Sequence, residues 1–289
     1  MEYQHSRLLV NSRLVRAFDV TCWAPRSGYG AMELNTAEQI ALPRRGVFVL
    51  ERCGQRVVVD TNTAVLLGRD DEYRVSHPTN DGDAGMVIAF APHLVEEAFG
   101  DVGGRIGQLR PRHQLVARLV TATLAASELD PVEAEEALLL LLALLRPAFA
   151  DRDRPTEDAR LGPAQRVRVE QARALLAGCP TQRWDLDSLA RALGCSPFHL
   201  ARQFRSATGE TISRYVLRLR LGIALDRLAD GERDIGALAV SMGFSHHSHF
   251  TARFRTAFGI TPKRAREILT RRNLEELRAL GQRTEPWLN

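Results

Sequence analysis

Residues 234–266 read DIGALAVSMGFSHHSHFTARFRTAFGITPKRAR, and residues 185–211 read DLDSLARALGCSPFHLARQFRSATGET. The two stretches are one unit written twice. Asp185, Leu186, Leu189, Ala190, Leu193 and Gly194 recur as Asp234, Ile235, Leu238, Ala239, Met242 and Gly243, at an offset of 49. Leu200, Phe204, Ala207 and Gly209 recur as Phe250, Phe254, Ala257 and Gly259, at an offset of 50, so the second unit has one extra residue in its turn.

Each copy spells a short helix, a glycine turn and a second helix. Asp185 and Asp234 suit a helix N-cap, followed by apolar residues at helical spacing. Gly194 and Gly243 suit the left-handed backbone that ends a helix. Ser196 before Pro197 reads as a cap and first turn, and Ser245 is expected to cap the second copy in the same way. The second helix of each unit should bury Leu200, Phe204 and Ala207, or Phe250, Phe254 and Ala257. Its other face carries Phe198, His199, Ala201, Arg202 and Arg205 in the first unit. In the second it carries His246, His247, Ser248, Thr251, Arg253 and Arg255, with Ala252 among them. Such a helix can enter the major groove of DNA. Between the units, Ile212, Tyr215, Val216, Leu219, Ile223 and Leu228 keep a helical period over residues 211–230, long enough to space two recognition helices by about one DNA turn.

Charge agrees with that placement. Residues 163–289 carry 21 Lys and Arg against 12 Asp and Glu, a net +9, whereas residues 1–162 carry 18 against 23, a net −5. The basic half is the one expected to meet a polyanion.

Over residues 167–266 the chain resembles the AraC/XylS family of bacterial transcription regulators. Gly243, Phe244, Ser245, Phe250, Phe254, Arg255, Phe258, Gly259, Thr261 and Pro262 carry the match. Arg202 falls on the family's arginine. Two positions depart: Ala252 stands where an arginine is usual, with Arg253 beside it, and Ala265 stands where an aromatic is usual. The resemblance implies a sequence-specific regulator bound to promoter or operator double-stranded DNA. It also implies an N-terminal small β-barrel, cupin-like, that senses a small-molecule effector, helices that form a homodimer, and contact with RNA polymerase.

The N-terminal half is consistent with an α+β chain. Residues 47–51 and 56–60 read as a hairpin around Cys53-Gly54-Gln55, and residues 63–67, 73–76 and 85–90 as further strands. Short, evenly spaced strands suggest a small sandwich or barrel. Residues 113–127 read as a helix with Leu115, Leu119, Ala122 and Ala126 on one face. Residues 131–149 form a helix apolar on nearly every side, so it needs cover on more than one face. One side suits the β-module, and the other, with Leu140, Leu141 and Leu144 in its body, suits an identical partner. The expected division is a sensing and dimerisation unit over 1–149, a polar linker over 150–163, and an all-α DNA-binding domain over 164–289.

Other chemistries lack support. No dinucleotide, nucleophile-elbow or P-loop glycine pattern occurs, and no catalytic set, cofactor or metal is expected. His5, His77, His93 and His113 are isolated from one another and read as structural or surface residues. His246, His247 and His249 fit DNA contact or plain solvation better than a metal. Cys195, four residues before His199, occupies the place of Phe244 and reads as a packed residue. The cysteines Cys22, Cys53, Cys179 and Cys195 have no C-x-x-C pair, so neither a disulfide scaffold nor a zinc ribbon is expected. No apolar run spans a bilayer and no secretory leader is seen, which points to a cytoplasmic protein without a membrane partner. Two alternatives stay open: a barrel enzyme tethered to a DNA-binding module, and a regulator controlled by a protein partner without a ligand pocket.

Overall fold

A computed structural model describes residues 3–100, 104–126, 129–149, 161–271 and 279. All but the last three residues of the expected linker lie outside the described residues.

Among the described residues the N-terminal half builds ten strands: β1 (Gln4–Asn11), β2 (Val15–Cys22), β3 (Glu33–Leu34), β4 (Glu38–Arg45), β5 (Phe48–Arg52), β6 (Gln55–Val59), β7 (Thr63–Leu67), β8 (Glu72–Ser76), β9 (Asp83–Phe90) and β10 (Arg105–Gln108). Helix α1 (Pro92–Phe99) precedes β10, and α2 (Pro111–Ala125) and α3 (Pro131–Phe149) follow it. The expected hairpin is β5–β6, with Arg52 paired to Gln55. Its two-residue turn has Cys53 at φ 48° and Gly54 at φ 72°, the conformation that matches strand twist.

The strands form two antiparallel sheets, ordered β1-β2-β9-β4-β7-β10 and β3-β8-β5-β6. Among the described residues the sheets are not hydrogen-bonded into one closed barrel. Leu50, Val59, Val65 and Leu67 form the apolar cluster between them, with half-buried Phe48, Tyr73 and Val75 against it.

Among its described residues the basic half is helical: α4 (Pro163–Gly178), α5 (Leu186–Ala192), α6 (Pro197–Thr208), α7 (Ile212–Ala229), α8 (Ile235–Ser241), α9 (His247–Phe258) and α10 (Pro262–Arg271). Its apolar residues share cores with the β-module. Val47 and Val58 pack with Val169, Leu189, Phe204 and Tyr215. Ile40, Leu66 and Met86 belong to one cluster with α2, α3, the C-terminal half of α7 and Phe250, Phe254, Ala265 and Leu269.

Helix α2 lies in the middle of that second core, touching α3, α7, α9 and α10. Its buried residues include His113, Gln114, Thr121 and Thr123 as well as Leu115 and Leu119. One apolar face was expected, yet polar positions are covered too. Thr121 and Thr123 satisfy their hydroxyls on Ala117 O and Leu119 O, each at 2.8 Å, so they enter a core without an orphan donor. Helix α3 buries Leu138, Leu141 and Leu145. Leu141 is therefore an inner residue, and the outward stripe is Leu140, Ala143, Leu144 and Pro147.

Candidate nucleic-acid interface

The caps fold the two units locally. Asp185 accepts from Ser188 N at 2.7 Å and Asp234 from Ala237 N at 2.8 Å, starting α5 and α8. Gly194 (φ 63°) and Gly243 (φ 78°) then turn the chain in the left-handed region, as expected. Ser196 accepts from His199 N at 3.3 Å and opens α6. In the second unit the extra turn residue displaces the cap: His246, not Ser245, is the N-cap of α9, and its side chain makes no capping bond.

Behind the outward faces sit Leu200, Phe204, Phe250 and Phe254, all fully buried, while Ala207 and Ala257 are half-buried. Cys195 packs on the core of the first unit, where Phe244 fills the corresponding place in the second. Helix α7 is capped by Thr211, which accepts from Arg214 N at 3.3 Å. Its 18 residues extend about 27 Å. Tyr215, Val216 and Leu219 serve the first unit's core, and Leu221, Ala224, Leu225 and Leu228 the second's.

The expected DNA-facing residues divide clearly. Phe198, 72% exposed, stands out with His199, Arg202 and Arg205 on α6, while Ala201 is half-buried. On α9, His247, Ser248 and Arg255 are exposed, as is His246 at its cap. Thr251 is half-buried, and its hydroxyl has no hydrogen-bond partner.

Arg253 is exposed but does not share the face of Ala252. At 100° per residue it lies a quarter-turn past Ala252, in the register of Gln203, which is buried in the first unit. It reaches back to His249, Nε to Nε2 at 3.2 Å, and lines a broad cleft with Thr256. His249 is exposed at the register of His199, with its ring edge-on to Phe244 at 5.5 Å.

The cleft is bordered by Arg205 of α6, Arg253 of α9, Arg214, Arg218 and Arg220 of α7, and Arg105, Arg110 and Arg112 from the acidic half. Glu210 is the one acid among its described lining residues. Much of that charge is engaged: Arg218 pairs with Glu210 at 2.7 Å and also donates to Leu109 O, and Arg220 donates to Pro180 O at 2.7 Å.

Two buried polar links tie the basic helices to the β-module. Tyr215 donates to Asp60, and Arg173 donates to Val58 O at 2.8 Å and Thr63 Oγ1 at 3.1 Å. Burial, reinforced by the Asp60 charge, pushes the Tyr215 hydroxyl well above its ordinary range. In the second link, Asp226 of α7 meets Arg118 of α2 at 2.8 Å and Arg44 of β4 at 3.5 Å. Burial raises the Asp226 carboxyl against the opposing pull of Arg118.

One constellation escaped the reading of isolated histidines. Cys22, His77 and Asp83 bring their donor atoms within 4.8 Å of one another. Their separation in sequence hides this: the β2–β9 pairing sets Cys22 beside Asp83, and His77 comes in from the end of β8 in the other sheet.

A helix-turn-helix domain model matches residues 189–268. The regulatory protein SoxS of Salmonella typhimurium is 33% identical over 88 residues, covering 30% of this chain and 82% of that protein. The transcriptional activator RhaS of Escherichia fergusonii is 31% identical over 161 residues, covering 55% of this chain and 54% of that one. Other curated relatives are matched over about a third to two fifths of their own length. Among solved structures, apo ToxT of Vibrio cholerae is 13% identical, covers 90% of this chain and all of that chain, and superposes with a TM-score of 0.39. With its two helix-turn-helix units and these relatives, the chain belongs to the AraC/XylS family of transcriptional regulators.

Proposed function

We propose that the protein is a cytoplasmic, sequence-specific transcription regulator that binds promoter or operator DNA through both helix-turn-helix units and performs no catalysis. The observation that carries this is the repeated outward face: α6 and α9, in two units joined by the continuous helix α7, each present polar and basic residues over a buried aromatic core. In this reading Phe198, His199, Arg202 and Arg205 contact one major groove, and His246, His247, Ser248, Thr251 and Arg255 the next. Arg202 reads a base, and Ala252 leaves the second unit with weaker readout. Arg253 contacts backbone from the cleft side.

The two sheets, as the cupin-like sensing module, take a small-molecule effector between them. Phe48, Tyr73 and Val75, half-buried against the apolar cluster there, are the side chains proposed to meet it. Helix α2 relays its state, since it packs on the sheet and on both α7 and α9. The outward stripe of α3 supports a homodimer, and contact with RNA polymerase completes the role. The test is binding of the full chain to a selected duplex against scrambled sequence. Preference for the selected duplex, weakening steeply with salt, supports the reading; equal binding to both removes it.

A further inference from the structure

We propose that Cys22, His77 and Asp83 bind one divalent transition-metal ion of the Zn(II) class. This inference goes beyond DNA binding and does not depend on it.

The donors converge on a point. His77 Nε2 lies 3.5 Å from Cys22 Sγ and 3.1 Å from Asp83 Oδ2. A tetrahedral zinc site with bonds of about 2.0–2.3 Å separates its donors by about 3.3–3.8 Å, so the two distances to His77 are close to that spacing, and all three donors lie within 4.8 Å of one another. A thiol–imidazole–carboxylate relay would place the thiol and the acid on opposite ring nitrogens. Here both approach the same nitrogen, which is the arrangement of ligands around a shared centre. Thiolate, imidazole and carboxylate together favour Zn(II) over the hard cations Mg(II) and Ca(II). Asp83 Oδ2 is buried and lacks a hydrogen bond of good geometry. The His77 and Asp83 side chains each keep 14% exposure, leaving solvent access for a fourth ligand.

The backbone is built to hold the set. Cys22 and Asp83 face each other across β2 and β9, so their side chains share one side of the sheet. His77 enters from the end of β8, in the other sheet. Gly82 adopts φ 68°, and a Cβ there would lie 2.3 Å from Cys22 O. Gly46 adopts φ 78°, and its Cβ would lie 2.5 Å from Asp83 Cα. Only glycine allows both approaches. The preceding loop is tied in as well, with Ser27 N donating to His77 O at 3.0 Å and Arg26 N to Asn80 Oδ1 at 2.7 Å. A bound ion would join the two sheets at this edge.

The test is titration of the reduced, metal-free full chain with Co(II), then Zn(II) against a chromophoric chelator. One equivalent of Co(II) should give a thiolate charge-transfer band in the near ultraviolet, displaced by Zn(II) with a Kd below about 1 μM. Cys22→Ser should abolish the band, and Cys22→Ser and His77→Gln should each weaken Zn(II) binding at least about a hundredfold, the upper range of outer-sphere losses. Asp83→Asn serves as the second carrier variant if either fails to fold. Absence of the band, or Zn(II) affinity that survives these substitutions and is lost with His246, His247 and His249, would overturn the assignment.

Discussion

Tyr215 of α7 gives its hydroxyl hydrogen to Asp60 of the β6–β7 turn, a bond between residues 155 apart in sequence, at a carboxylate with no solvent exposure. Asp60 also accepts from Asn62 N at 2.7 Å, and Arg173 lies 3.6 Å away. The link joins a strand turn to the helix that connects the two DNA-binding units. Tyr215→Phe keeps the ring against Phe204 but leaves a buried carboxylate oxygen without its donor. We expect a loss of about 1–3 kcal/mol in stability, read by urea unfolding. An unchanged midpoint would show that the hydroxyl contributes nothing to the folded state.

His113 sets a pH dependence. Burial, followed by Arg110, Arg112 and Arg218, lowers its pKa to about 4, while Nδ1 accepts from Arg110 N at 3.1 Å. Below its unfolded value of about 6.5 the unfolded chain takes up a proton that the folded chain refuses. Stability should therefore fall as pH drops from about 6.5 through about 4, by up to about 3 kcal/mol from this residue. Unfolding of the wild type and of His113→Asn between pH 7 and pH 5 checks it: the variant should have the shallower slope, and equal slopes would refute the role.

Arg202 and Ala252 occupy equivalent exposed positions on α6 and α9. Arg202→Ala should cost about 1–3 kcal/mol of binding to a preferred duplex and relax preference at one position, with the melting temperature unchanged. Ala252→Arg should tighten binding and steepen the salt dependence by about one counterion. Fluorescence anisotropy across a salt series separates the two effects. If neither substitution moves binding, these helices do not face DNA.

Leu144 stands on the outward stripe of α3, unlike the buried Leu141. Leu144→Glu should yield a folded monomer from a dimeric wild type by sedimentation velocity. A wild type that is already monomeric at micromolar concentration removes the dimer from this surface.

The repeat, its glycine turns and the caps Asp185, Ser196 and Asp234 were readable because each is a local requirement of a helix end or a buried face. Helix α3 was readable for the same reason, from a run too apolar to be wetted. Strand β10 was not: its four residues, Arg105–Gln108, carry no alternation long enough to register. The burial of α2 on several sides was hidden because Gln114, Thr121 and Thr123, spread over opposite sides of the helix, look like solvated positions until their hydrogen-bond partners are known. The His246 cap depended on one inserted turn residue. The convergence of Cys22, His77 and Asp83 follows from the β2–β9 pairing and from the end of β8, in the other sheet, packing against it, which no spacing along the chain encodes.

The most direct test is footprinting of the full chain on a duplex selected from a random pool. Helix α7, about 27 Å long, should set α6 and α9 into successive major grooves on one side of DNA. We expect base-specific protection in two unlike segments about ten base pairs apart, with the segment read by Arg202 the stronger. Protection confined to one segment, or protection without sequence preference, would contradict it.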